Sequence, residues 1–153
     1  MGSISICKGK TLKLSNALER KISSGEWDNI QLIIEQMENY VKSKGATPIG
    51  PLIQKTEIVG IEEGDMSAEI TLMRQANQFI VHTEKPYKML PTIRVSNCLY
   101  AHYIGPDNKI KFANDKLNVY AFENEIDLAD ENYVVYVNQG EDEIVADVFI
   151  QMK

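Results

Sequence analysis

Trp27, Tyr103, Tyr133 and Tyr136 are the side chains best suited to hold a ligand, because each joins a flat apolar body to one polar edge. The same property lets tyrosine and tryptophan fill a core while one end stays wet, so both roles stay open for each. Trp27 follows Gly25 where a helix would begin, and can cover a groove entrance or staple the strand-to-helix turn. Acid–base and metal chemistry find less. His82 and His102 are the only histidines; His82 has no carboxylate or cysteine at helical metal-ligand spacing, and Cys98, four residues before His102, lies on a strand-like run where that spacing does not converge, which argues against a metal site. His102 alternates with Cys98 and Tyr100 as on a strand, the pattern of a half-buried histidine with a satisfied hydrogen bond. No Ser-His-Asp or Cys-His set, nucleophile elbow or phosphate-binding glycine loop can be assembled. The chain is therefore expected to be no enzyme, with no catalytic residue and no cofactor.

The elements that would position these residues follow from apolar spacing. Leu18, Arg20 and Ile22 alternate at the end of a strand from about Leu12, stopped by Ser23, Ser24 and Gly25. Asp28 and Gln31 read as a capping box, and Ile30, Ile33, Ile34, Met37 and Val41 as the stripe of an amphipathic helix. Lys42, Lys44 and Gly45 end it. Two strands follow, through Leu52–Val59 and Ala68–Leu72, joined by a turn at Glu62 to Asp65. His82 to Pro91 reads as a crossover connection. A strand ending at Gly105 then leads to a helix from about Asn108, with Ile110, Ala113, Leu117, Tyr120 and Ala121 as its stripe. Tyr133–Val137 and Ile144–Ile150 read as the last strands, turning at Asn138 to Asp142.

These two series match at a spacing of 80 residues: Ile30, Leu32, Met37 and Tyr40 fall on Ile110, Phe112, Leu117 and Tyr120, and Gly25 on Gly105. The expected fold is α+β, a single domain over 1–153 made of two pseudo-twofold-related βαββ repeats, about 12–75 and 93–152. They would form one mainly antiparallel sheet with both helices on one face. A groove between the halves would suit a small molecule.

Composition bounds the function. The 153 residues are 44% hydrophobic and carry a net charge of −6, which suits one domain and argues against a general nucleic-acid binder. Residues 107–153 hold four Lys/Arg against eleven Asp/Glu, so the acidity is C-terminal. Glu123, Glu125, Asp127, Asp130 and Glu131, then Glu141, Asp142 and Glu143, read as solvated loops between apolar runs. Two cysteines, Cys7 and Cys98, make no disulfide framework, and neither a membrane span nor a signal peptide is legible, so a cytoplasmic protein is expected.

The run Tyr100-Ala-His-Tyr-Ile-Gly-Pro106, a helix, Tyr133-Val-Val-Tyr-Val-Asn138 and Val145-Ala-Asp-Val-Phe-Ile150 is similar to the second repeat of the gyrase-inhibitor-like effector-binding fold. Ligand domains of multidrug-responsive bacterial transcription activators and the SOUL heme-binding-like proteins share it. The resemblance implies a ligand site around Tyr136, which matches a family tyrosine, with Val134 where the family carries a glutamate for cations. Without that carboxylate, weak binding of lipophilic cations and no general base are implied. Glu131 lies nearby, before the strand, in the acidic loop. The implied function is a stand-alone, non-enzymatic small-molecule-binding domain for an apolar or aromatic ligand, with Tyr136, Val134, Tyr133, Tyr103 and Trp27 at the site. The other reading is an accessory or inhibitor protein that docks on a protein partner through its acidic C-terminal segment or a sheet edge.

Overall fold

The computed structural model describes residues 3–62 and 65–153, without the side chains of 24 and 59–67. The turn expected at Glu62 to Asp65, with Gly64, lies outside the described residues, as do Met1 and Gly2. The element order is β1 (Ser3–Ile22), a 3-10 turn (Ser24–Asn29), α1 (Ile30–Ser43), β2 (Pro48–Glu62), β3 (Asp65–Ala76), β4 (Tyr87–Gly105), a 3-10 turn (Asp107–Lys109), α2 (Lys111–Glu123), β5 (Leu128–Gln139) and β6 (Ile144–Met152). Helices and antiparallel strands give an α+β chain. It divides into two compact units, Lys13–Arg94 and Met1–Leu12 with Val95–Lys153. Residues 3–12 extend β1 well beyond the strand expected from about Leu12, and they belong with the C-terminal half.

In the Lys13–Arg94 unit, β3 pairs antiparallel with both β1 and β2, giving the order β1-β3-β2. Ile33, Met37 and Val41 form the buried stripe of α1 and pack with Leu18, Ile22, Leu72 and Ala76. The capping box is formed by Ser23 and Glu26, and not by Asp28 and Gln31. Glu26 accepts from the Ser23 amide and hydroxyl at 3.0 Å, and its other oxygen accepts from Arg20 Nη2 at 2.6 Å. The Arg20 hydrogen bond, with those from Ser23, lowers the Glu26 carboxyl to about 2. Arg20 therefore selects the cap: it stands on the strand that ends just before Ser23, within reach of Glu26. The segment between β3 and β4 is held by Glu84, which accepts from the Tyr40 hydroxyl and from Lys44 Nζ at 2.7 Å, while Tyr40 stacks on Tyr87 at 4.1 Å. The crossover is thus shorter than His82 to Pro91. Pro91 lies inside β4, ahead of the stretch Cys98–Gly105 that pairs with β6, where a missing N–H breaks none of that ladder.

In the other unit, β6 pairs antiparallel with both β4 and β5, giving the order β4-β6-β5. Ala113, Leu117 and Ala121 of α2 bury against Leu99, Ala101, Tyr103, Ile144, Ala146, Val148 and Ile150, and Ile4 and Ile6 of β1 join them. The buried helix positions of the two units fall 80 residues apart, 33 to 113, 37 to 117 and 41 to 121. Leu32 and Phe112, paired in the sequence comparison as apolar positions, are both exposed. Asp130 and Glu131 lie within β5 and not in a loop.

Both helices end alike. Gly45 at φ 80° and Glu125 at φ 54° take the left-handed conformation. The next amide then reaches back, Ala46 to the Val41 carbonyl at 3.2 Å and Ile126 to the Ala121 carbonyl at 2.8 Å. Glycine enters that conformation freely, whereas a side chain at Glu125 strains it. Glu125→Gly is expected to raise the free energy of unfolding by about 0.5–1 kcal/mol, and Gly45→Ala to lower it by at least about as much, both measured by urea denaturation.

Candidate functional site

Successive residues of a strand point to opposite faces, and in β4, β5 and β6 this alternation separates two kinds of surface. Leu99, Ala101, Tyr103, Val134, Tyr136, Ala146, Val148 and Ile150 pack in the cluster formed with α2. The alternate positions carry the chemistry. Across the three strands Tyr100, Phe149 and Tyr133 stand in register, and beside them His102, Asp147 and Val135 form the next row. The Tyr100 and Phe149 ring centroids are 5.1 Å apart at 49°, a tilted aromatic pair. Tyr133 and Phe149 are buried, and Tyr100 is half-buried.

At the open end of this row sits a polar network. Asp147 Oδ1 accepts from the Tyr100 hydroxyl at 2.7 Å and from His102 Nδ1 at 2.7 Å. The histidine side chain is 36% exposed and the aspartate 22%. Burial and the neighbouring Asp147 carboxylate push the Tyr100 hydroxyl well above its ordinary value, so it remains a donor. Lys10 Nζ lies 6.0 Å from the Tyr100 ring centroid. Glu131 stands two residues before Tyr133 on β5 and accepts its hydroxyl at 3.2 Å, so Glu131 belongs to the strand and joins the face carrying the aromatic row.

The residues expected at the site are distributed differently. Tyr133 lies in the aromatic row. Val134 pairs with Val148 and packs in the core beneath α2, as does Tyr136, whose hydroxyl is pushed up to about 12 by burial and then by the charge of Asp107. Tyr103 is buried on that same side and donates from its hydroxyl to the Pro106 carbonyl at 2.6 Å. Its ring lies over Gly105, where an added Cβ would come within 2.7 Å of the tyrosine oxygen, so glycine is required there. Tyr103 also lines a pocket of about 700 Å³ whose wall includes Ile4, Pro106 and Phe112 and whose rim carries Lys109, Lys116, Asp142 and Glu143. Trp27 is 44% exposed on the 3-10 turn of the Lys13–Arg94 unit, whereas the other four belong to the C-terminal unit.

His102 has the half-burial and the hydrogen bond its alternation implied. Its partner Asp147 and the aromatic Phe149 were missed. The signal was a single aspartate inside the otherwise apolar run Val145–Ile150, a polar residue that must find a partner once it enters a sheet.

No protein-family model matches the chain, and no curated protein sequence matches it. Among solved structures, the chain is similar to the cryo-EM structure of the EcmrR–DNA complex in EcmrR-RPo, with a TM-score of 0.67 at 14% identity over 99% of this chain. It spans 57% of that EcmrR chain. The crystal structure of the EcmrR C-terminal domain matches with a TM-score of 0.64 at 14% identity, over 100% of this chain and 97% of that one. This likeness shows the fold. Among the described residues, no helix is long and apolar enough to cross a membrane and no group of His, Cys, Asp and Glu is arranged to hold a metal.

The position of Val134 makes a stability statement. Val134→Glu places a carboxylate beside Val148 at a partly buried position packed on the α2 cluster, where desolvation disfavours its ionised form, and is expected to cost about 1–3 kcal/mol. Thermal melting with circular dichroism measures the loss.

Proposed function

We propose that this chain is a small-molecule-binding domain of the gyrase-inhibitor-like effector-binding fold that catalyses no reaction and takes an apolar or neutral aromatic ligand. The observation that carries the reading is the row Tyr100, Phe149 and Tyr133, which sets aromatic rings on the side of the β4-β6-β5 sheet that α2 leaves uncovered. The likeness in fold to the EcmrR C-terminal domain supports it. Reading the two βαββ motifs as copies of one another belongs to the same proposal, and rests on their shared element order and matching strand orders. A cytoplasmic location fits two unpaired cysteines, one exposed and one buried. Contact with DNA is a property of EcmrR in its complex.

A second reading, an accessory protein docking on a partner, is favoured by one observation. Phe112, Val119 and Phe122 on α2 are 48%, 55% and 86% exposed, an apolar stripe of the kind that marks interaction surfaces. Under that reading Val119→Ser with Phe122→Ser leaves melting unchanged and abolishes retention of the partner in size-exclusion chromatography of the native complex.

The ligand reading is tested by isothermal titration with the neutral dye N-phenyl-1-naphthylamine and the cation tetraphenylphosphonium. The neutral dye is expected to bind and Phe149→Leu to weaken it by about three- to tenfold, while tighter binding of the cation would assign the Asp147 and Glu131 carboxylates of this face as its counter-charge. Failure of every neutral aromatic to bind the folded chain removes the reading.

A further inference from the structure

We infer that His102 is the specificity anchor of this site, and that the ligand is an aromatic molecule carrying an O–H or N–H donor, of the phenol or azole class. The inference rests on the small-molecule reading above and adds the chemistry of the ligand. Its basis is the fixed orientation of the imidazole. Asp147 Oδ1 receives both the Tyr100 hydroxyl and His102 Nδ1 at 2.7 Å. An ionised carboxylate only accepts, so a histidine proton sits on Nδ1, and Nε2 is the ring atom left to meet a ligand, presenting a lone pair in the tautomer that this contact selects. Tyr100 Oη, 3.4 Å from the same ring nitrogen, helps to fix the plane of the imidazole. Nε2 has no protein hydrogen-bond partner among the described residues, and the side chain is 36% exposed.

The network is poorly explained as a stabilising device. Asp147 and His102 stand between apolar positions of strands whose other face is fully buried, and a β-branched apolar residue would suit the same backbone without desolvating a carboxylate. A half-exposed pair of this kind contributes little to stability. What it does supply is one directed acceptor beside the ring of Tyr100, itself packed on Phe149. A ring that stacks there and carries a donor on its edge satisfies Nε2, whereas one with a methylated oxygen leaves it unpaired and desolvated. Unmade hydrogen bonds discriminate more strongly than added ones attract.

The test compares 1-naphthol with 1-methoxynaphthalene, which differ at the donor, by titration calorimetry at neutral pH. The wild-type chain is expected to prefer 1-naphthol by about tenfold. His102→Ala should bring that preference to about unity, and His102→Gln, whose amide oxygen can still accept, should keep part of it. Asp147→Asn should reduce it by freeing the ring to change tautomer. Equal affinity of the wild-type chain for both probes overturns the anchor and leaves the small-molecule reading standing. Binding of neither probe overturns the anchor, and the small-molecule reading falls with it only when N-phenyl-1-naphthylamine also fails to bind. The wild-type comparison requires no variant to fold, and melting curves check that each variant does.

Discussion

The burial of α2 on one face of the β4-β6-β5 sheet is the constraint from which the rest of the C-terminal unit follows. A strand residue points either toward the helix or away from it, and the helix claims Leu99, Ala101, Tyr103, Val134, Tyr136, Ala146 and Val148. The positions between them are then forced to the other side, which collects Tyr100, His102, Tyr133, Asp147 and Phe149. The small Ala113 and Ala121 let the helix lie close, with Leu117 filling the space between them. Aromatic and polar chemistry thus concentrates on one side because the other side is occupied by packing.

That constraint explains which parts of the site were legible in the sequence. The helices, their buried positions and the final strand pair could be read because each writes a period into its own residues. The alternation of Tyr100 with His102 could be read for the same reason. Their partners could not, since Asp147 reaches His102 only through the register of β4 on β6, and register depends on residues far apart in sequence. Val134 and Tyr136 entered through the family resemblance and share one face, whereas Tyr133 stands on the other, since a single step along a strand reverses the face. Glu131 was assigned to an acidic loop because its neighbours are acidic, although it lies within β5 and its carboxylate accepts from the Tyr133 hydroxyl. Arg20 decided the helix cap in the same long-reaching way, drawing Glu26 into the role expected of another residue pair.

The helix ends show how one backbone solution accepts different residues. A glycine meets the left-handed requirement at position 45 and a glutamate meets it at 125, with the same return of the following amide to the helix. The requirement comes from the chain having to reverse toward its next strand, β2 in one unit and β5 in the other. Where the residue conforms poorly, the surrounding hydrogen bonds hold it in place.

The membership of residues 3–12 in the C-terminal unit bears on the order in which the molecule is made. Ile4 and Ile6 complete a core whose other members lie from Leu99 onward, and Lys116 donates to the Ile4 carbonyl at 3.2 Å. Ile4 and Ile6 are therefore synthesised long before the residues from Leu99 onward that become their neighbours. Lys13–Arg94 forms a compact unit from one continuous stretch, with β3 paired to both β1 and β2, and can begin to assemble while synthesis continues. Closing so long a loop carries an entropic cost, and contacts of such sequence separation slow folding. In the interval the early strand keeps its apolar residues uncovered and its edge unpaired, which makes the nascent chain more exposed to misassociation than the finished protein.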